Sequence, residues 1–203
     1  MVARSGPSWT TDGPCASGWR ASADVRIIGG RFKGRTLAGP PASGVRPTSD
    51  RLRETLFNLV DTSADGCRVL DAFAGTGALG LEALSRGASH ITFVERDRRT
   101  ARVIADNISR CGADDACVVC ADDFVGVSGR RDLGGPFDLV LLDPPYDFAD
   151  LAGALAEAAG VVRRGGLVVL EHSRRRQPPD VPGLVRRRTV RAGDSELSFY
   201  ATA

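Results

Sequence analysis

The chain has 203 residues, which suffices for one well-buried core and is too short for two ordinary enzymatic domains. A hydrophobic share of 42% and a charged share of 26% exclude wholesale disorder, and no apolar run approaches the roughly 18–20 residues that span a bilayer. The net charge of +2 hides two basic flanks, with seven basic and two acidic residues over 25–60 and seven and one over 174–191, around a middle (61–173) with 11 and 18.

Basic flanks of this kind suit a polyanion. The opening residues lack the apolar stretch of a signal peptide, so a soluble, cytoplasmic chain is expected. Its five cysteines are an odd set, and they include the pair Cys117 and Cys120. With no second pair, and only His90 and His172 to join them, no metal site is expected.

Residues 1–24 hold both tryptophans, Trp9 and Trp19, among Gly, Ser, Pro and Thr without periodicity. They are expected to form a disordered leader; a translation start near Val25 is the alternative. The stretch 26–37 is punctuated by Gly29, Gly30 and Gly34 and predicts a short hairpin or arm, followed by a loop with Pro40, Pro41 and Pro47. Thr48 or Ser49 can cap a helix whose apolar stripe is Leu52, Leu56, Leu59 and Val60, with Arg51 and Arg53 off the stripe. Within this segment Arg31, Lys33, Arg46 and Arg51 are the candidate phosphate contacts.

From Val69 onward strand and helix alternate. Apolar runs at 69–70, 91–94, 118–119, 139–142 and 167–170 predict buried strands, and 78–85, 98–111 and 150–159 predict helices. This is the pattern of an α/β fold, a doubly wound, mostly parallel sheet. The stretches 185–191 and 196–201 flank the turn-like Ala192-Gly193-Asp194 and predict an antiparallel hairpin that completes seven strands.

Two motifs carry chemistry. The first is Asp71-Ala72-Phe73-Ala74-Gly75-Thr76-Gly77, a glycine turn between a strand and a helix amino terminus. Its spacing differs from Gly-x-Gly-x-x-Gly, and the acid on its strand suits a cationic amine better than a pyrophosphate. Glu95 ends the next strand, where a carboxylate can accept both hydroxyls of a ribose. Asp122 follows the third strand, where it can accept from an adenine amino group, and the adjacent Asp123 could do the same. The second motif is Asp143-Pro144-Pro145-Tyr146, a rigid loop after a buried strand. Asp143 and the Pro144 carbonyl supply two acceptors and Tyr146 a flat face, which is what the exocyclic amine of a base requires.

Asp71, Phe73, Gly75, Gly77, Glu95 and the Asp143–Tyr146 loop resemble the class I methyltransferases that act on amino groups of nucleobases. Arg26-Ile27-Ile28-Gly29-Gly30, Gly34-Arg35, Arg46-Pro47-Thr48, the stretch 50–58 and the stretch 73–88 narrow the resemblance to the RsmD family of 16S ribosomal RNA guanine-N2 methyltransferases. The resemblance runs from about Val25 to the end of the chain, and it implies S-adenosylmethionine as co-substrate. It also implies a partner in 16S ribosomal RNA within a small-subunit assembly particle, met by a monomer. The expected organisation is a leader (1–24), a basic RNA-recognising arm and helix (25–60) and a methyltransferase domain (61–203). Catalytic roles fall to Asp143, Pro144, Pro145 and Tyr146, and donor binding to Asp71, Phe73, Gly75, Gly77, Glu95 and Asp122. The rivals are a DNA adenine-N6 methyltransferase, which would share the site but lacks a DNA-reading segment here, and a non-catalytic RNA-binding assembly factor.

Overall fold

A computed structural model describes residues 25–39, 49–63, 66–126 and 133–203. The leader, Arg46 and Thr48 lie outside the described residues. β1 (Val25–Arg26) and β2 (Thr36–Leu37) pair antiparallel as a small hairpin, and α1 (Asp50–Leu59) follows. Ser49 is its cap, its hydroxyl accepting from Leu52 N. Then come β3 (Arg68–Asp71), α2 (Ala78–Ser85), β4 (His90–Val94), α3 (Arg98–Cys111), β5 (Cys117–Cys120), β6 (Phe137–Leu142), α4 (Leu151–Val161), β7 (Val162–Ser173), β8 (Leu184–Ala192) and β9 (Ser195–Thr202).

The seven-stranded sheet runs β5-β4-β3-β6-β7-β9-β8, with β9 antiparallel to both neighbours and the other pairings parallel. The strands of the middle are apolar on both faces because helices cover both. Val69, Leu139, Leu141 and Val169 pack with Leu56, Leu81 and Ile104 on one side. Leu70, Val140, Leu142 and Leu170 pack with Leu151 and Leu155 on the other. From β3 the chain winds outward through β4 to β5, then returns to lay β6 against the other side of β3. The direction of winding reverses between β3 and β6, and their carboxyl ends border the crevice where open α/β sheets bind ligands.

Two expectations change. The 118–119 run is not a buried strand: β5 is the edge strand, and Val118 is 50% exposed. Arg53, off the apolar stripe by periodicity, is fully buried, because its guanidinium donates to Arg26 O and pairs with Asp50, tying α1 to β1. Arg51 is exposed.

The basic arm shares the core of the sheet domain, where Val25, Ile27, Phe32 and Leu37 join the cluster of α2 and α3. Polar pins hold it as well. Buried Glu82 on α2 accepts from Ile28 N (2.7 Å) and Gly29 N (2.8 Å), and Ser85 bridges Phe32 N and Gly29 O. Asn107 on α3 exchanges two bonds with the backbone of Ala38 and donates to Thr76 O.

Candidate active site

The glycine turn forms because a strand ending at Asp71 must reverse within six residues into α2. Gly77 adopts φ +79° as it precedes the helix, a conformation costly for other residues. At Gly80 a Cβ would lie 2.3 Å from the Phe93 ring, so only glycine lets α2 press this closely on β4. The turn is tied to the neighbouring strand: Ala74 N donates to Val94 O, and Gly75 N donates to Glu95 Oε2, both at 3.0 Å. Glu95 Oε1 accepts from Asp97 N at 2.9 Å, so each carboxylate oxygen holds one backbone N–H and keeps acceptor capacity.

A cavity of about 860 Å³ opens at this end of the sheet. Its walls include Phe73, Gly75, Glu95, Asp122, Asp123, Asp143, Pro144, Pro145 and Tyr146. The structure therefore brings nearly all of the residues of both motifs to one place, from the ends of β3, β4, β5 and β6. Phe73 meets Phe148 and Phe124 edge-on, at ring separations of 5.0 and 5.9 Å, which makes one wall apolar. Asp122 and Asp123 both reach the cavity. In the second motif, Phe148 N donates to Pro145 O and closes a turn that leaves Tyr146 half exposed at the mouth.

Asp71 and Gly77 are not among the lining residues. Asp71 is fully buried; its Oδ2 accepts from Gly80 N at 2.9 Å, and its Oδ1 has no hydrogen-bond partner among the described residues. Burial pushes its carboxyl up to about 7; the Gly80 bond opposes the shift, and the charges of Asp143 and Glu95 add to it.

Of the candidate phosphate contacts, Arg51 is exposed beside Ser49 and Leu52, which line the cavity. Arg31 and Lys33 sit at the hairpin tip, where Phe32 N is bonded to Ser85 at the far end of α2. An eight-residue helix is about 12 Å long, so the tip stands roughly that far from the glycine turn. Arg31 stacks on the Phe32 ring. The structure does not bring these two residues to the mouth. Arg96 and Arg99 line it instead, and the reading of the sequence passed over them; their place just after Glu95, at a strand's carboxyl end, was the available signal. Glu171 and Ser195 also line the cavity, and no local pattern marks either of them.

A family model described as conserved hypothetical protein 95 matches residues 25–201. "Ribosomal RNA small subunit methyltransferase D" of Escherichia coli strain K12 is 43% identical over 125 residues, which is 62% of this chain and 62% of that relative. The match thus spans less than two thirds of that relative's length. "Putative rRNA methyltransferase YlbH" of Bacillus subtilis strain 168 is 34% identical over 182 residues, 87% of this chain and 98% of the relative. Among solved structures, "Putative methyltransferase yhhF from Escherichia coli" superposes with a TM-score of 0.78 at 31% identity, covering 89% of this chain and 98% of that one.

Proposed function

The chain belongs to the RsmD family, and from that premise we propose that it methylates the exocyclic N2 amine of a guanine in 16S ribosomal RNA, with S-adenosylmethionine as methyl donor. The fold is the Rossmann-like class I methyltransferase fold. The observation that carries the reading is the convergence, on one cavity, of a glycine turn tied to Glu95 and the Asp143–Tyr146 loop. One half supplies what a methionine-linked adenosine needs, and the other what a planar amine needs.

The residues present fit the donor. The Asp71 carboxyl, fully buried just behind the glycine turn, does not reach the cavity; its charge places negative potential beneath the donor's ammonium group. Glu95 retains acceptor capacity for ribose hydroxyls, Asp122 or Asp123 accepts from the adenine amine, and Phe73 with Phe148 forms an apolar wall. When bound, the donor supplies an electrophilic methyl on a positively charged sulfur.

The protein's part is positioning. The target base must leave its stack, which costs a few kcal/mol, and stacking on Tyr146 returns about 1–3 kcal/mol. Asp143 and the Pro144 carbonyl accept the two N2 hydrogens, which holds the amine in place while its lone pair turns towards the methyl carbon. As nitrogen gains positive charge, the Asp143 carboxylate stabilises it more strongly than it did the neutral amine, and the surplus N2 proton leaves along that hydrogen bond. Arg51, Arg96 and Arg99 around the mouth grip phosphates of the RNA.

The test is transfer of a labelled methyl by the full chain to 16S RNA, to small-subunit particles and to duplex DNA, with the product nucleosides identified by mass spectrometry. N2-methylguanosine from RNA is expected. N6-methyladenine in DNA would replace this reading with that of a DNA enzyme. Donor binding without transfer to any nucleic acid would replace it with a non-catalytic role.

A further inference from the structure

Tyr146 is half exposed, yet its hydroxyl is held by buried groups. Its oxygen lies 2.7 Å from Ser195 Oγ, and Ser195 donates in turn to Glu171 Oε1 at 2.8 Å. Ser195 opens β9 and is 5% exposed, while Glu171 lies on β7 and is 9% exposed. Serine has one hydroxyl proton, and that proton is committed to Glu171, so Tyr146 must be the donor to Ser195. The chain of bonds therefore runs one way, from phenol to serine to carboxylate.

A packing role does not account for this arrangement. A half-exposed phenol could take water as its partner. Withdrawing a carboxylate and a serine from water is costly, and apolar side chains in their places would stabilise the fold at least as well. What the arrangement does provide is a fixed ring. Pro144 and Pro145 restrain its backbone end, the turn closed by Phe148 N and Pro145 O restrains the loop, and Ser195 holds the far end. One face of Tyr146 is then presented at the mouth in a set orientation before any base arrives.

We propose that Ser195 and Glu171 are positioning residues for methyl transfer: they hold the Tyr146 ring so that the flipped guanine stacks on a surface already ordered. The proposal rests on the reaction assigned above and adds the brace to it. Ordering a free side chain on binding costs a factor of about 3–10 in the productive complex. RNA is held first through its phosphates and the base enters afterwards, so the loss belongs in kcat and not in KM for RNA.

The experiment uses the full chain and its Tyr146→Phe, Ser195→Ala, Tyr146→Phe/Ser195→Ala, Glu171→Ala and Glu171→Gln variants. Tyr146→Phe leaves Ser195 paired with Glu171, so it should melt with the wild type and bind donor equally well, while kcat on 16S RNA falls about 3- to 10-fold. Ser195→Ala should lose the same factor, and the double variant no more than either single one. Glu171→Gln keeps an acceptor for Ser195 and should retain most of the kcat that Glu171→Ala loses. The chain has two tyrosines, so the Tyr146 ring carbon signals can be assigned by their loss in Tyr146→Phe. Those signals should show faster ring motion in Ser195→Ala. An unchanged ring in that variant, wild-type kcat in Tyr146→Phe, or losses that multiply in the double variant would overturn the brace. A loosened ring in a chain whose wild type methylates no RNA would overturn the reaction and leave the brace standing.

Discussion

Replacing Asp71 with asparagine should stabilise the protein and weaken its hold on the donor. The carboxyl is fully buried and pushed up to about 7, chiefly by burial. Its unfolded value is about 3.9, so above pH 7 the fold bears the cost of a buried charge on the order of 4 kcal/mol. The sign follows from proton binding. Between pH 3.9 and 7 the folded chain holds a proton that the unfolded chain releases, so the cost fades as pH falls and is gone below the unfolded value. Asparagine keeps an acceptor for Gly80 N and removes the charge, but it places an amide N–H₂ where Oδ1 had no partner, at a cost of about 1–3 kcal/mol. The net expectation at pH 8 is a gain of roughly 1–3 kcal/mol, or several degrees in Tm. Thermal unfolding of both proteins at pH 8, 7, 6 and 5 measures it, and the advantage should shrink by more than half across that series. Donor affinity, followed by titration calorimetry, should fall in the variant at pH 8, and in the wild type it should weaken as pH drops through about 7. An asparagine variant less stable than wild type at pH 8, or a difference that ignores pH, would refute the argument.

Asp143→Ala should lower turnover by at least roughly 10²-fold with donor affinity nearly unchanged, as read by single-turnover kinetics beside calorimetry. Glu95→Ala should do the reverse, weakening donor binding by about 1–3 kcal/mol, since it removes acceptors for a ribose and the tie to Gly75 N. Glu82→Ala leaves the half-buried N–H groups of Ile28 and Gly29 without their partner and should cost about 1–3 kcal/mol in denaturant unfolding, with hydrogen exchange rising first in β1 and β2. Arg96→Ala/Arg99→Ala should flatten the salt dependence of RNA binding by about 1.4 in log–log slope, more than Arg31→Ala/Lys33→Ala at the hairpin tip; equal slopes would move the RNA path down the side of α2.

Elements set by neighbours in the chain were legible without the fold. The strand of β3, the glycine turn and the span of α2 follow from apolar runs and punctuation within a dozen residues, as do the cap of α1, narrowed to Thr48 or Ser49, and the β8–β9 hairpin. The two chemical motifs were legible for the same reason: each is a short contiguous stretch whose backbone and side chains act together. Their meeting on one cavity follows from strand order, since β3 and β6 are neighbours in the sheet although 65 residues lie between Asp71, which ends β3, and Phe137, which opens β6.

 That adjacency is a property of the sheet, where β6 returns to the side of β3 away from β4, and no local pattern states it.

Only the tertiary structure decided the rest, because burial depends on what arrives from elsewhere in the chain. Val118 has the composition of a core residue, yet β5 has no strand beyond it and stays half open. Arg53 reads as a surface charge until Arg26 supplies a carbonyl for it to bond. Asp71 reads as facing the ligand, but its side chain turns to Gly80 beneath the turn. Glu171 and Ser195 carry no motif; they meet Tyr146 because β9 pairs with β7 and its first residue reaches the cavity. Chemistry carried by contiguous residues could be read directly from the sequence. Chemistry assembled from separate strand ends had to wait for the order of those strands in space.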